Sequence, residues 1–341
     1  MDALLSLPIL GYFLMPVSTY GTSLNLLFFY MTWSTLVLSQ PPLGVEVVGI
    51  LVVRLFFFLA PALLFLLFDS IVPSLAVGLK TQDAPALPTR AGGIHGAKKS
   101  KRRPQWYSVL GISLLNICLS IALQAAVELL FTKALKIRSA LKITTTLPMP
   151  WSIAKDVTRG LVLREILQYY IHRFILHSKS PNFFSKRHGA YFHVVTAPYS
   201  LVAHYDHPAS YLLFRFIPTY LPSIIFRTHL LTYLLLLSMI TLEETLTLSG
   251  YSCVPGIILG GITRRQDLHS ECLGKGNFAP WGLLDWLHGT GIGPGIIEDV
   301  KDEAEKHHLA ERTGNAWEDA KKDGRDGVRA LKGRKRGVKK T

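Results

Sequence analysis

Nine of the twelve histidines in this 341-residue chain fall between residues 172 and 288. They are His172, His177, His188, His193, His204, His207, His229, His269 and His288. Imidazole is the commonest protein metal ligand and suits iron, zinc and copper. Such a concentration beside long apolar runs points to a bound metal. The histidines come in groups: His172 to His177, His188 to His193, Ala203-His204-Tyr205-Asp206-His207-Pro208, and Arg265-Gln266-Asp267-Leu268-His269. Spacing limits what they can do. On a regular α-helix an i,i+5 pair sits ~140° apart. His172 and His177 therefore cannot chelate one metal from an undistorted helix. Either the helix ends between them or they serve different metals. The candidate ligands are His172, His177, His188, His193, His207 and His269. His229 opens a leucine-rich arm and reads as interfacial, while His307 and His308 read as solvated tail.

The elements that must hold these side chains are membrane helices. The chain is 49% hydrophobic and 18% charged, against ~25% charged in an ordinary soluble domain. Residues 3–45 and 104–127 contain no charge, and each run exceeds the ~20 residues that a spanning helix needs. Apolar regions cover roughly 8–38, 45–67 (with Arg54 inside) and 106–131. Arg54 either snorkels or faces the bundle interior. A helix is expected over 159–176, ending in the first histidines. Residues 208–250 read as a helical hairpin around Pro222 and Arg227, and the glycine-rich 253–263 as re-entrant. The start lacks a basic n-region, so the N-terminus reads as retained. Cys118, Cys253 and Cys272 show no CxxC spacing, which argues against a disulfide framework or a cysteine zinc site.

The net charge of +14 is concentrated. Lys80, Arg90, Lys98, Lys99, Lys101, Arg102 and Arg103 crowd one loop, and the tail from residue 327 carries Lys and Arg without an acid. In a multi-span protein such runs indicate cytosolic retention beside anionic lipid headgroups rather than nucleic-acid binding. Placing the loop in the cytosol puts the histidines and the tail there too. The connector 132–158 then lies on the other side, although it contains Lys133, Lys136, Arg138, Lys142 and Lys155. The divisions are a transmembrane region over 1–79, a basic loop over 80–105, a third span and connector over 106–158, the histidine-rich domain over 159–297, and a charged tail over 298–341. The expected fold is an all-α, multi-span integral membrane bundle with a cytosol-facing histidine-rich metal site. No inverted repeat is evident, which disfavours a transporter.

Four short motifs occur in order. They are Tyr169-Tyr170-Ile171-His172-Arg173 through His177, Ala197-Pro198-Tyr199 leading to Tyr205-Asp206-His207-Pro208, Ser249-Gly250-Tyr251, and Asn277-Phe278 followed by Gly282 to Thr290. Together they resemble the sterol desaturase/fatty acid hydroxylase superfamily over roughly 160–292. The resemblance implies a multi-pass endoplasmic-reticulum enzyme with two non-haem irons in histidine boxes. It also implies use of O₂, electrons from a cytochrome b5 or reductase partner, and a lipid, sterol or other hydrophobic substrate. The chain departs from the family pattern at four positions. Gly189 follows His188 where the family has adjacent histidines, Gln266 and Ser270 stand where two box histidines would be, and Leu248 precedes Ser249-Gly250-Tyr251. Glu243 and Glu244 could supply carboxylates to iron, or only cap or bridge. The competing expectation is a catalytically degenerate relative that acts as a membrane partner or lipid binder.

Overall fold

The computed structural model describes residues 19–89, 103–254 and 257–295, with isolated positions 298, 301 and 321. Most of the basic loop, the tail and residues 8–18 of the first apolar region lie outside them. Among the described residues every regular element is helical, and the β contacts are the single bridges Lys80 to Tyr251 and Lys142 to His229. The helices are α1 (Thr19–Ser39), α2 (Pro42–Ile71), α3 (Pro73–Leu79), α4 (Trp106–Ala134), α5 (Pro150–Ile171), α6 (Phe183–Tyr191), α7 (Ile217–Ile225), α8 (Leu230–Thr247), α9 (Ile257–Glu271) and α10 (Leu283–His288).

Local chemistry sets the boundaries. Pro42, Pro73 and Pro150 open α2, α3 and α5, where the missing N–H costs nothing and the fixed φ suits a first turn. Val72 leaves the helical region just before Pro73, as the clash with a following proline ring requires. Asn182 and Ser185 form a reciprocal capping box at the start of α6. Three expectations are corrected. Pro222 lies inside α7, and the hairpin turns at Arg227, whose φ is 46°. α5 begins at Pro150, within the segment read as connector. Residues expected to be re-entrant contribute instead to α9, which packs on α8.

Among the described residues, three helices are long and apolar enough to cross a membrane: α2, α4 and α8. Their side chains are sorted as a lipid environment demands. Val52, Phe56, Leu64 and Leu67 on α2 and Leu115 on α4 are exposed, whereas Glu46, Arg54, Ser113, Asn116 and Gln124 are buried. Gln124 Nε2 donates to Glu46 Oε1 at 2.6 Å, and Tyr233 Oη on α8 donates to Gln124 Oε1 at 2.9 Å. Arg54 faces the interior, where it donates to Thr241 Oγ1 at 2.9 Å. Polar groups paired inside and apolar groups outside are what a bilayer solvent selects.

The spans carry the histidine segment on one end. Phe58, Ala62, Val109 and Ile117 from α2 and α4 form one core with Phe192, Val195, Tyr199, Leu201, Val202 and Leu248. Asn116 on α4 donates to the carbonyls of His204 and Asp206, both at 2.9 Å. α5 crosses α8 closely at Gly160, where a Cβ would lie 2.6 Å from Leu236 Cδ2. The ends of the basic loop are fastened to the same face. Lys80 pairs with Asp69 at 3.0 Å, and the Arg103 guanidinium lies over the Tyr199 ring and donates to Ala197 O.

Candidate metal centre

The i,i+5 spacing of His172 and His177 is accommodated by a change of helix type. After Ile171 the backbone opens into a π turn over His172–Leu176, and His177 N donates to His172 O at 2.8 Å. That i→i+5 bond stacks residue 177 over residue 172, and the two ring centroids come within 4.8 Å. Single π turns inside α-helices are frequent at functional sites. His188 sits on α6, His193 in the tight turn that follows it, and His269 in the last turn of α9.

The structure brings five of the six candidate ligands together. Ligand atoms of His172, His177, His188 and His269 all lie within 4.8 Å of one another. His193 Nε2 is 3.2 Å from His177 Nε2. His207 is not among them. Its ring packs by Phe183 and Tyr191, and its Nδ1 accepts from Ala209 N at the start of a short helix. Its neighbour Asp206 reaches the site instead.

Hydrogen bonding fixes which nitrogen faces inward. His172 Nδ1 is 2.8 Å from Phe278 O, His269 Nδ1 is 2.7 Å from Gly276 O, and His188 Nδ1 is 2.7 Å from Asp206 Oδ2. Carbonyl and carboxylate oxygens only accept, so each Nδ1 carries the proton and each Nε2 presents a lone pair. Those three Nε2 atoms are buried without a protein partner. Lone pairs gathered in an aromatic cage of Phe192, Phe214 and Phe278 repel one another and lack any donor. A metal cation satisfies them all, and the outer Nδ1 bonds are the usual supports of metal-bound histidine.

The protonation states agree. Burial, reinforced by the neighbouring imidazoles, holds His172 and His193 well below the ordinary histidine range. Burial also brings His177 down to about 2 and His269 to about 4. The rings are neutral at neutral pH, the form that binds metal. The residues therefore fit a nitrogen-rich metal site, open on the side of the partly exposed His177 and His193.

Several supports were not named as site residues from the sequence. Asp285 accepts from Phe278 N at 2.9 Å and Ala279 N at 2.7 Å, which aims the Phe278 carbonyl at His172. Asn277, at φ 57°, donates to Arg265 O and Ile292 O and accepts from Ile292 N. Gly274, at φ 77°, lies so close to His177 that a Cβ would meet the ring at 1.9 Å. The Asn277-Phe278 and Asp285 to Thr290 motifs thus act through backbone carbonyls, which the sequence signals only as a resemblance.

Glu243 and Glu244 are ion-paired. Arg164 donates to both, at 3.0 and 3.1 Å, and Arg215 reaches Glu244 at 2.7 Å. They bridge α5 and α8, and their carboxylates are turned to guanidiniums. His204 is likewise placed apart, 3.4 Å from Arg54 Nη1 and 3.2 Å from Tyr211 Oη.

Fold and site together define a helical membrane protein with a cluster of histidines packed at close range. Residues 157–290 match the family model described as Fatty acid hydroxylase. That segment holds all five clustered histidines, and the match is consistent with the sterol desaturase/fatty acid hydroxylase superfamily that the motifs resemble. It supports a membrane hydroxylase or desaturase class of oxidoreductase. No solved structure matches the chain.

Proposed function

We propose that the chain is an O₂-dependent hydroxylase or desaturase of the endoplasmic-reticulum membrane, acting on a lipid, sterol or similar hydrophobic metabolite. One observation carries this reading: three buried imidazole Nε2 atoms converge without protein partners, each ring held by its Nδ1. His172, His177, His188, His193 and His269 would hold iron there. Bound iron would supply the oxygen activation that side chains alone cannot provide. The chain's own residues do the rest. Phe278 O, Gly276 O and Asp206 fix the ring orientations, and Phe192, Phe214 and Phe278 exclude water from the buried rings. A site fastened to the end of apolar spans suits a substrate that partitions into lipid.

In this reading the basic loop, the histidine end and the tail face the cytosol, where a cytochrome b5 or reductase partner delivers electrons. The loop ends at Lys80 and Arg103 meet the histidine segment, which supports placing the two on one side. Protease treatment of sealed microsomes should remove a tail epitope, and protection of that epitope would overturn the orientation.

The activity is tested by comparing lipid profiles of cells with wild-type protein, a deletion, and His172→Ala at equal abundance. Substrate should accumulate to the same degree in the deletion and in His172→Ala. A wild-type profile in His172→Ala beside an altered profile in the deletion would favour the second reading, a non-catalytic relative. The departures at Gly189, Leu248, Gln266 and Ser270, with both glutamates committed to arginines, speak for that alternative.

A further inference from the structure

We infer that the histidine cluster holds one metal ion rather than a pair. The inference rests on the metal reading given above, and it does not depend on the oxygenase activity.

Compactness comes first. The four ligand atoms from His172, His177, His188 and His269 all fall within 4.8 Å of one another, and the His193 to His177 contact is 3.2 Å. Four imidazoles on one ion at ~2.0–2.1 Å set their nitrogens ~3.4 Å apart. A small contraction brings this set onto a single centre. Two ions ~3.5–4 Å apart require outer donors up to ~8 Å from one another. The four-histidine set has no such spread, and among the described residues no second group of three or more close metal donors stands beside it.

Charge points the same way. The donors are all imidazoles, none of them an anionic ligand, and the group contains no carboxylate. Asp206, which touches the cluster, directs one oxygen to His188 Nδ1 and the other to His207 N. A second dication beside the first would face unscreened repulsion with no anionic ligand between them.

The positions that could complete a second set are spent or unsuitable. Gly189 is exposed with open space around its Cα. Leu248 is buried within an apolar core. Gln266 and Ser270 supply an amide and a hydroxyl, weak ligands beside imidazole. The remaining buried histidine near a carboxylate is His204, and guanidiniums surround that neighbourhood. Arg54 contacts His204, and Arg164 and Arg215 occupy Glu244. Fixed cations already fill the place where a second metal would need negative charge.

The ligand is therefore a single first-row divalent ion in an all-imidazole set. The experiment uses the full chain in detergent, stripped with chelator and titrated with Co(II), followed by visible absorption and electron paramagnetic resonance. Binding should saturate at one equivalent, with the signal of a magnetically isolated ion. His204→Gln should retain that equivalent, whereas His177→Ala and His193→Ala should each weaken Co(II) by more than about 10-fold, the least that loss of an outer support costs. A second equivalent with spin coupling, or loss of the first in His204→Gln, would overturn the inference. The wild-type count decides even if a variant fails to fold. Zero equivalents in wild type would remove the metal reading altogether. One equivalent without lipid oxidation would instead remove the proposed activity and leave the single-ion site standing.

Discussion

Asp206 and His207 are neighbours in one motif, yet only the acid serves the cluster. It accepts from His188 Nδ1 at 2.7 Å, so it fixes the tautomer and raises the basicity of the inward nitrogen. Asp206→Asn should weaken metal affinity about 10-fold, the mild end of what such outer supports contribute. Competition against a chelator of known affinity measures it, and an unchanged affinity would show that the carboxylate has no such role. Gly274 works by absence of a side chain. Its φ of 77° and the 1.9 Å approach to His177 leave no room for Cβ. Gly274→Ala should cost about 1–3 kcal/mol of stability and displace His177, read as a lower unfolding midpoint together with weaker metal binding. At this scale the sequence was half legible. Residue type picked out five histidines that meet in space. Which of Asp206 and His207 points inward depends on the turn before a short helix, and a turn has no periodicity to read. The carbonyls of Gly276 and Phe278 were invisible, because every residue has one.

At the scale of helices, the spacing of His172 and His177 left two possibilities open, an ended helix or two metals. The structure takes a third course by widening the helix for one turn. A π turn keeps all its backbone bonds, so nothing in composition marks it. The spanning segments were easier, since lipid selects for long uncharged runs and those runs stand out. What they hide is the interior pairing. Arg164 on α5 is buried between Glu243 and Glu244 of α8. Removing its charge would leave Glu243 without an ionic partner and Glu244 with Arg215 alone. Arg164→Met should therefore destabilise the chain by about 3–5 kcal/mol, seen in thermal unfolding of the detergent-solubilised protein. A change below 1 kcal/mol would show that the pair is solvated.

For the molecule as a whole, the buried imidazoles set a pH dependence. In the absence of metal, burial lowers His172, His177, His193, His204 and His269 below the ordinary 6.5, His269 to about 4. Unfolded histidines take up protons near pH 6.5 while these folded ones do not, so the unfolded state binds more protons as pH falls. Stability contributed by these groups is complete above pH 6.5 and declines as pH drops from there toward 4. The unfolding midpoint of chelator-treated protein should fall between pH 6.5 and 5, and a midpoint that rises over that interval would contradict the burial. The whole-molecule plan, a helical membrane bundle with histidines at one end, was legible because lipid and metal each impose their own composition.

The partnership between His172 and Phe278 spans 106 residues, and this has a consequence for biogenesis. A ribosome that has delivered α5, and even α8, has made most of the chain without making a complete ligand set. His269 is still missing, and His172 is free to rotate until Phe278 O captures its Nδ1. The last turn of α9 and the strand of chain after it close the site. Loading must then follow membrane insertion and the docking of the segment around 269–290. A nascent chain that has emerged through α8 exposes four of the five histidines to the cell's metal pool, but the set lacks His269 and the carbonyl supports of Gly276 and Phe278. The full ligand set exists only in the finished fold.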